Sequence, residues 1–443
     1  MATQRRMTAA ERQAAMDRYQ ERKRREQEAE QARRERVQRR KEKEAESREL
    51  AKGPIDLPFC LLVLLLTAIG LVMLLSASFP SAYYETDGQD PMHYFVRQGV
   101  FAAMGIAAMF LIGRINYQRY RGVAKLMLYL AIILLVLVII PGNPIAVTRN
   151  NATRWIGVGE LFTFQPSEIA KMAVVLYFSD SISRKKDKMH TTRYGIAPYL
   201  LIMGVIAVLM MLEPHLSGTV LILGVLAVLM MLEPHLSGTV LILGTGAALM
   251  LVGGIRWAWV GAAVGFVGGV AALMLTGVIK YGQSRIAMWQ NPFIDARGKG
   301  YQLSQSLISI GSGGLLGVGL GKSRQKFLYL PEEHNDFIFA IICEELGLIG
   351  AAIIMLLFAA LILRGYWIAL HTRDRFGCLL VVGVTTLIAM QVFLNIGVVT
   401  GLLPTTGISL PFFSYGGTAL SIQLAEMGIV LSVSRQMKPT KAG

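Results

Sequence analysis

A chain of 443 residues that is 53% hydrophobic and only 16% charged, with a mean hydropathy of +0.49, is too apolar for an ordinary soluble domain. Its apolar residues come in runs approaching or exceeding about 18, the length of a membrane helix rather than the ten-residue alternation of a membrane barrel. The predicted class is an all-α polytopic membrane protein. The cysteines Cys60, Cys343 and Cys378 lie in or beside apolar segments with no CxxC spacing, so they read as small core residues and exclude a disulfide framework.

The net charge of +15 is unevenly spread. Residues 1–52 hold 17 Lys and Arg against 11 Asp and Glu, with no Gly or Pro before Gly53. The run ERKRREQEAEQARRERVQRRKEKEAESREL favours helix but has no apolar stripe to bury. It reads as a charged cytoplasmic tail, partly helical or disordered, whose expected partner is the anionic membrane surface and not nucleic acid. The first apolar run starts near Leu57 and is a full span long, which argues for a span and against a signal peptide.

About ten transmembrane helices are expected, over 57–78, 94–113, 123–141, 167–183, 196–212, 239–254, 257–276, 336–363, 378–402 and 414–434. Short loops rich in Lys and Arg favour the cytoplasm. Arg114, Arg119, Arg121 and Lys125 follow the second span, and Arg184, Lys185, Lys186 and Lys188 follow the fourth. Arg364, Arg373 and Arg375 follow the eighth, and Arg435, Lys438 and Lys441 follow the tenth. With ten spans every one of these clusters lies on the side of the basic N-terminus. Both termini, including the short tail 436–443, are then cytoplasmic, and the membrane domain covers 53–435. The large loop between spans seven and eight, roughly 277–335, becomes extracytoplasmic.

A tandem duplication interrupts this pattern. Residues 204–244 carry a block of 20 residues twice, the copies differing only at Ile206 and Leu226. An eleventh span at 219–232 would move the last two basic clusters outside. At 14 residues, about 21 Å of helix, it would also be short for a core of about 30 Å. Each copy carries EPHLSG, whose Pro breaks helix and whose Glu and His resist hydrocarbon. The second copy is therefore expected not to cross the membrane.

The large loop concentrates Lys280, Arg285, Arg297, Lys299, Lys322, Arg324 and Lys326 on the side where cations are normally scarce. Long loops tolerate this, and an external anionic ligand such as a pyrophosphate headgroup would use it. The run GSGGLLGVGLG does not follow a strand, so it is read as close backbone packing or a flexible lid and not as a nucleotide loop. Glu168 and Lys171 are intramembrane charges one helical turn apart, expected to pair. Arg154 stands just before that span, either snorkelling to the interface or meeting an anion. In PEEHNDF, Glu332, His334 and Asp336 read as a helix-capping cluster more readily than as a metal site. In PFFSYGG, Ser414, Tyr415, Gly416 and Gly417 mark a close-packed turn into the last span, and Glu344 and Glu345 are buried acids of unknown partner.

Three of these stretches, NPFIDARGKGYQLSQSLISIGSGG, GLGKSRQKFLYLPEEHNDFIFAIICEELGLIG and LPTTGISLPFFSYGGTAL, together with RWIGVGELFTFQPSEIAKMAVVLYFS, resemble the SEDS family of FtsW, RodA and SpoVE polymerases. The resemblance covers 57–435, leaves out the N-terminal tail, and departs from the family where EPHLSGT occurs twice instead of once. GYQLSQSL and PFFSYGGT look closer to the division and sporulation branch, FtsW above all, than to elongation. Such a resemblance implies a peptidoglycan glycosyltransferase that polymerises lipid II for the septal wall, releasing undecaprenyl pyrophosphate on the outer face of the bacterial cytoplasmic membrane. The alternative is a lipid II flippase.

The resemblance also implies site residues and partners. Asp295 is the general base on the acceptor hydroxyl, held ionised by the cations Arg285, Arg297 and Lys299. With Arg154, Glu168, Lys171 and Tyr415 these cations form the expected substrate-binding set. No protein metal site is assigned, and Mg2+ or Mn2+ remains an option as cofactor. The implied partners are lipid II and the undecaprenyl-linked glycan, a class B penicillin-binding protein transpeptidase, and divisome proteins.

Overall fold

The computed structural model describes residues 53–212, 236–256 and 283–437, apart from 141–142, 150–151, 159–161 and 186–187, with three positions between 258 and 261 and a scatter between 16 and 38. The chain divides into two compact units, Met1–Gly53 and Pro54–Gly443. In the first, the described residues are helical, with exposed pairs Arg25–Glu21 and Arg24–Glu28 four residues apart at 2.7 and 3.1 Å.

The second unit is a helical membrane domain. Its helices are α1 (Leu57–Glu85), α2 (His93–Arg114), α3 (Tyr120–Ile139), α4 (Pro166–Arg184), α5 (Ala197–Leu212) and α6 (Leu236–Val252), then α7 (Gln283–Gln290), α8 (Tyr301–Gly313), α9 (Ile338–His371), α10 (Arg375–Val399) and α11 (Thr418–Ser434). Nine of the ten expected spans coincide with α1–α6 and α9–α11. The seventh, 257–276, and the extra segment 219–232 fall outside the described residues. By length and composition, five described helices are long and apolar enough to cross a bilayer: α1, α2, Tyr117–Ile139, α9 and α10.

Local chemistry sets the helix starts. Asp56 caps α1, its Oδ1 accepting from the Phe59 N–H at 3.0 Å, and Pro58 follows where its missing N–H costs nothing. The same carboxylate takes the Arg364 guanidinium of α9 at 2.7 and 3.0 Å, so the cap also ties two spans together. Asp374 caps α10 and collects Tyr117 and Gln118 from the turn before α3 and Arg121 from its first turn, with Gln118 and Arg121 both at 3.1 Å. Arg121 and Arg184 both reach Asp180, at 3.7 and 2.8 Å. These pairs fasten one end of the bundle. Within it α10 is central, packed on α4, α6, α9 and α11, while α11 runs along α2.

One element departs from the all-helical expectation. Between α3 and α4 lies a small antiparallel sheet of β1 (Ala146–Arg149), β2 (Ala152–Val158) and β3 (Phe162–Phe164), in the order β1-β2-β3. Its β-branched and aromatic residues favour strand, and β2 presents Arg154.

The Gly-rich run also finds its role. Within α9 the helix breaks at Gly347, whose φ of 68° and ψ of −171° free the backbone groups on either side. The run supplies the missing partners. Val318 N and Gly319 N donate to Glu344 O and Glu345 O at 2.9 and 3.0 Å, while Leu348 N and Ile349 N donate to Gly314 O and Leu315 O at 2.9 and 3.2 Å. A methyl group at Gly347 would sit 2.3 Å from Gly317 N, so the splice demands glycine there. This is close backbone packing and not a lid.

Candidate active site

Asp295 sits half-buried in the turn between α7 and α8. Its carbonyl accepts the Gly298 and Gly300 N–H groups at 3.1 Å each, and its Oδ2 accepts the Lys299 N–H at 2.9 Å. A side chain at Gly298 would start 2.5 Å from both carboxylate oxygens, so that glycine leaves the room the turn needs. Trp289 Nε1 anchors the turn to Gly401 O at the end of α10, 2.8 Å away.

Arg297 and Lys299 are exposed on the same turn. Among the described residues, neither approaches Asp295 within ion-pair distance; the Lys299 backbone amide holds the carboxylate. Arg285 lies on α7, and its side chain falls outside the described residues.

A second group gathers at the start of α9. Asp336, in the loop just ahead of that helix, is pushed up to about 6, mainly by burial and further by Glu332, against the opposing pull of Arg154 and His334. Arg154 and Asp336 are therefore brought together from β2 and the loop. Asn395 of α10 holds the backbone here, donating from Nδ2 to Asp336 O at 2.7 Å and Ile408 O at 2.6 Å.

The helix-capping reading of PEEHNDF does not hold. Phe337 is the N-cap of α9 and makes no side-chain cap bond. Instead Glu332 O closes the turn, Glu333 meets Ser81 of α1, and His334 joins an aromatic cluster.

That cluster contains Tyr415. Its ring lies 4.8 Å from Tyr94 and 6.0 Å from His334, which themselves stand 4.6 Å apart, and its N–H donates to His334 O at 2.9 Å. The turn before α11 is as closely tied as its glycines imply. Gln98 of α2 accepts from Gly416 N and Gly417 N at 3.3 and 2.9 Å and donates to Ser414 O at 3.2 Å. Sequence reading gave no hint of Gln98, an ordinary-looking polar residue in a span.

Inside the bundle Glu168 and Lys171 pair at 2.7 Å, with Lys171 only 4% exposed. Glu426 of α11, buried at 2% exposure, faces the same pair, its charge coupled to both. This third ionisable group was not anticipated; an acid within an apolar last span was the available signal.

The cations of the large loop do not act alike. Lys326 is buried and pairs with Glu345 at 2.9 Å, while Ser76 of α1 donates to both Glu345 oxygens at 2.7 Å. Glu344 accepts from Ser323 Oγ, Arg324 N and Ser309 Oγ at 2.5, 2.9 and 3.1 Å. The two acids thus clamp the loop to α1 and α8. Lys322 and Arg324, in contrast, are exposed.

No set of three His, Cys, Asp or Glu side chains gathers as a metal site among the described residues. The Asp295 turn and the group around Arg154 and Asp336 are linked through the loops that follow α10, by Trp289 to Gly401 and Asn395 to Ile408.

Comparison with known proteins shows the family of the chain. A family model described as "Cell cycle protein", FTSW_RODA_SPOVE, matches residues 57–232 and 219–439, two ranges that overlap inside the duplicated block. Stage V sporulation protein E of Bacillus subtilis (strain 168) is 42% identical over 383 residues, 86% of this chain and 97% of that protein. A probable peptidoglycan glycosyltransferase FtsW of Geobacter metallireducens is 38% identical over 394 residues, covering 87% and 96% of the two chains.

Among solved structures, a chain from a peptidoglycan synthase complex that coordinates polymerization and crosslinking superposes with a TM-score of 0.67 at 25% identity, covering 86% of this chain and 98% of that one. The rod shape determining protein RodA of Thermus thermophilus superposes at 0.60 and 25% identity over 87% and 98%. The chain is a multi-pass membrane protein that belongs to the FtsW/RodA/SpoVE family.

Proposed function

We propose that the chain is a peptidoglycan glycosyltransferase that polymerises lipid II on the outer face of the cytoplasmic membrane, in the service of septal wall synthesis. The observation that carries the activity is the likeness, along 87% of the chain, to a relative named as a probable peptidoglycan glycosyltransferase. The reaction joins an acceptor hydroxyl to a donor anomeric carbon and releases undecaprenyl pyrophosphate. It needs a base for the hydroxyl proton and positive charge for the leaving group.

Asp295 is the base in this reading. Its Oδ1 accepts no hydrogen bond among the described residues, which leaves it for a substrate proton. Arg297 and Lys299, exposed on the same turn, Arg285 on α7 and Arg154 of β2 meet the pyrophosphate. Tyr415, with Tyr94 and His334, meets the sugars, and the Glu168–Lys171 pair contributes its charges from within the bundle. A divalent cation fits this donor set only in part: Mg2+ or Mn2+ is commonly held by one or two carboxylates plus substrate phosphates, and Asp295 is the carboxylate to hand. Such an ion would supply charge neutralisation at the leaving group.

Both termini are cytoplasmic in this reading, and a class B penicillin-binding protein and divisome proteins are the partners. The likeness to a synthase complex that couples polymerization to crosslinking supports the transpeptidase.

One observation favours a second reading. Three ionisable side chains inside the bundle, Glu168, Lys171 and Glu426, are the kind of group that lines a transport path. Reconstitution with lipid II in vesicles separates the two. Glycan polymer supports the glycosyltransferase; lipid II scrambling with no polymer, transpeptidase partner present, supports the flippase.

A further inference from the structure

A continuous helix over α9 would measure about 51 Å, against a hydrocarbon core of about 30 Å. The part after the break at Gly347, residues 348–371, is about 36 Å long at 1.5 Å per residue and spans a bilayer by itself. Its outward flank is apolar from the first turn. Leu348, Ile349, Ile353 and Leu356 are 58%, 51%, 52% and 69% exposed. This is the lipid-facing surface of a membrane helix.

The Gly-rich run is bonded to that first turn. Through the bonds from Leu348 N and Ile349 N to Gly314 O and Leu315 O, residues 314–319 lie at the depth where the spanning stretch begins. The run GGLLGVGLG, 313–321, contains no polar side chain. Leu315, Leu316 and Leu320 are 67%, 80% and 54% exposed, continuing the lipid-facing flank of α9.

Irregular backbone survives in hydrocarbon only when its N–H and C=O groups are paired within the protein. The splice meets that condition in part: Gly317 N, Val318 N and Gly319 N donate, and Gly314 O, Leu315 O and Gly319 O accept. Among the described residues, Leu316 N, Leu320 N and the carbonyls of Leu316, Gly317 and Val318 have no backbone partner, so the backbone of the run belongs at the water-bearing interface and only its side chains reach the hydrocarbon. Just beyond the run come the exposed cations Lys322 and Arg324, then the exposed Phe327, Leu328 and Tyr329. An apolar tip, two cations and an aromatic-bearing flank follow the order of acyl chains, phosphates and interface.

We infer that the run 314–320 lies at the membrane interface on the loop's own side, with the side chains of Leu315, Leu316 and Leu320 inserted against phospholipid acyl chains and Lys322 and Arg324 at the headgroup phosphates. The loop between spans seven and eight is then partly a lipid-embedded wedge braced against α9. The inference rests on the membrane placement of α9 and is independent of the reaction catalysed.

The test uses the full chain in phospholipid vesicles, with Cys60, Cys343 and Cys378 replaced and a nitroxide attached at Leu316→Cys. Leu356→Cys serves as the lipid reference and Gln89→Cys, in the exposed turn after α1, as the aqueous one. Collision with oxygen should exceed collision with a water-soluble nickel chelate several-fold, as at Leu356→Cys. A ratio matching Gln89→Cys would overturn the inference. So would low collision with both reagents, which would mean that protein covers the run. Leu320→Cys repeats the measurement should Leu316→Cys fail to fold.

Discussion

Replacing Lys326 with Met separates two roles for a loop cation. Lys326 Nζ lies 2.9 Å from Glu345 Oε1 and 3.0 Å from Ser76 Oγ, and the side chains of Lys326 and Glu345 are 5% and 0% exposed. Without the ammonium, Glu345 keeps, among the described residues, the Ser76 hydroxyl at 2.7 Å and the Ser323 N–H at 3.2 Å. Breaking a buried pair by removing one partner costs about 3–5 kcal/mol, because the remaining charge stays desolvated. At about 2 °C per kcal/mol for a large domain, that is a fall of about 6–10 °C in the thermal midpoint of the purified protein.

The double variant Lys326→Met/Glu345→Gln removes the stranded charge as well. It should recover at least half of the loss, since replacing both members of a buried pair is far cheaper than replacing one. If Lys326→Met instead kept its midpoint within about 1 °C while losing lipid II polymerisation, the lysine would be a substrate ligand and its assignment as a structural clamp would be refuted.

Two further outcomes follow from the same structure. Excising residues 213–232 leaves the sequences of α5 and α6 unchanged and joins them through Glu233, Pro234 and His235, a connection of ordinary length for neighbouring helices; the shortened protein should complement loss of the parent in cells, and a chain that fails to fold would contradict this. Asp336, raised from 3.8 to about 6, contributes stability that is fully present below pH 3.8 and is lost as the pH rises through 6. Asp336→Asn should therefore match the parent near pH 4 and exceed it in thermal midpoint at pH 7–8, and a variant less stable than the parent at pH 8 would contradict that sign.

The spans were legible because apolar run length is a local property. Their ends were less so: α1 runs on to Glu85 through a Ser- and Tyr-containing stretch with Pro80, and α9 continues to His371. Glu168 and Lys171 could be paired on paper because one helical turn fixes their distance. Partners far apart in the chain could not. Gln98 meets Gly417, Ser76 meets Glu345, and Arg154 faces Asp336 only once the helices have packed.

Of the cations expected around the Asp295 carboxylate, Arg297 and Lys299 make no ion pair with it among the described residues, and the Arg285 side chain lies outside them. Neighbouring residues in a tight turn offer their amides before their side chains, and the Lys299 N–H fills that place. The Gly-rich run takes the close backbone packing expected of it, but its partner, the broken helix at Gly347, carries no sequence mark beyond one glycine.

The central claim is that Asp295 accepts the acceptor's proton in a glycosyl transfer. Its most direct test is lipid II polymerisation by Asp295→Asn, purified with its transpeptidase partner. Asparagine can still accept the Lys299 N–H, so the turn and the thermal midpoint should be preserved. Polymer formation should fall by about 100-fold or more, the usual scale for loss of a general base. Glycan polymer made at the parent rate by a folded Asp295→Asn would contradict the account.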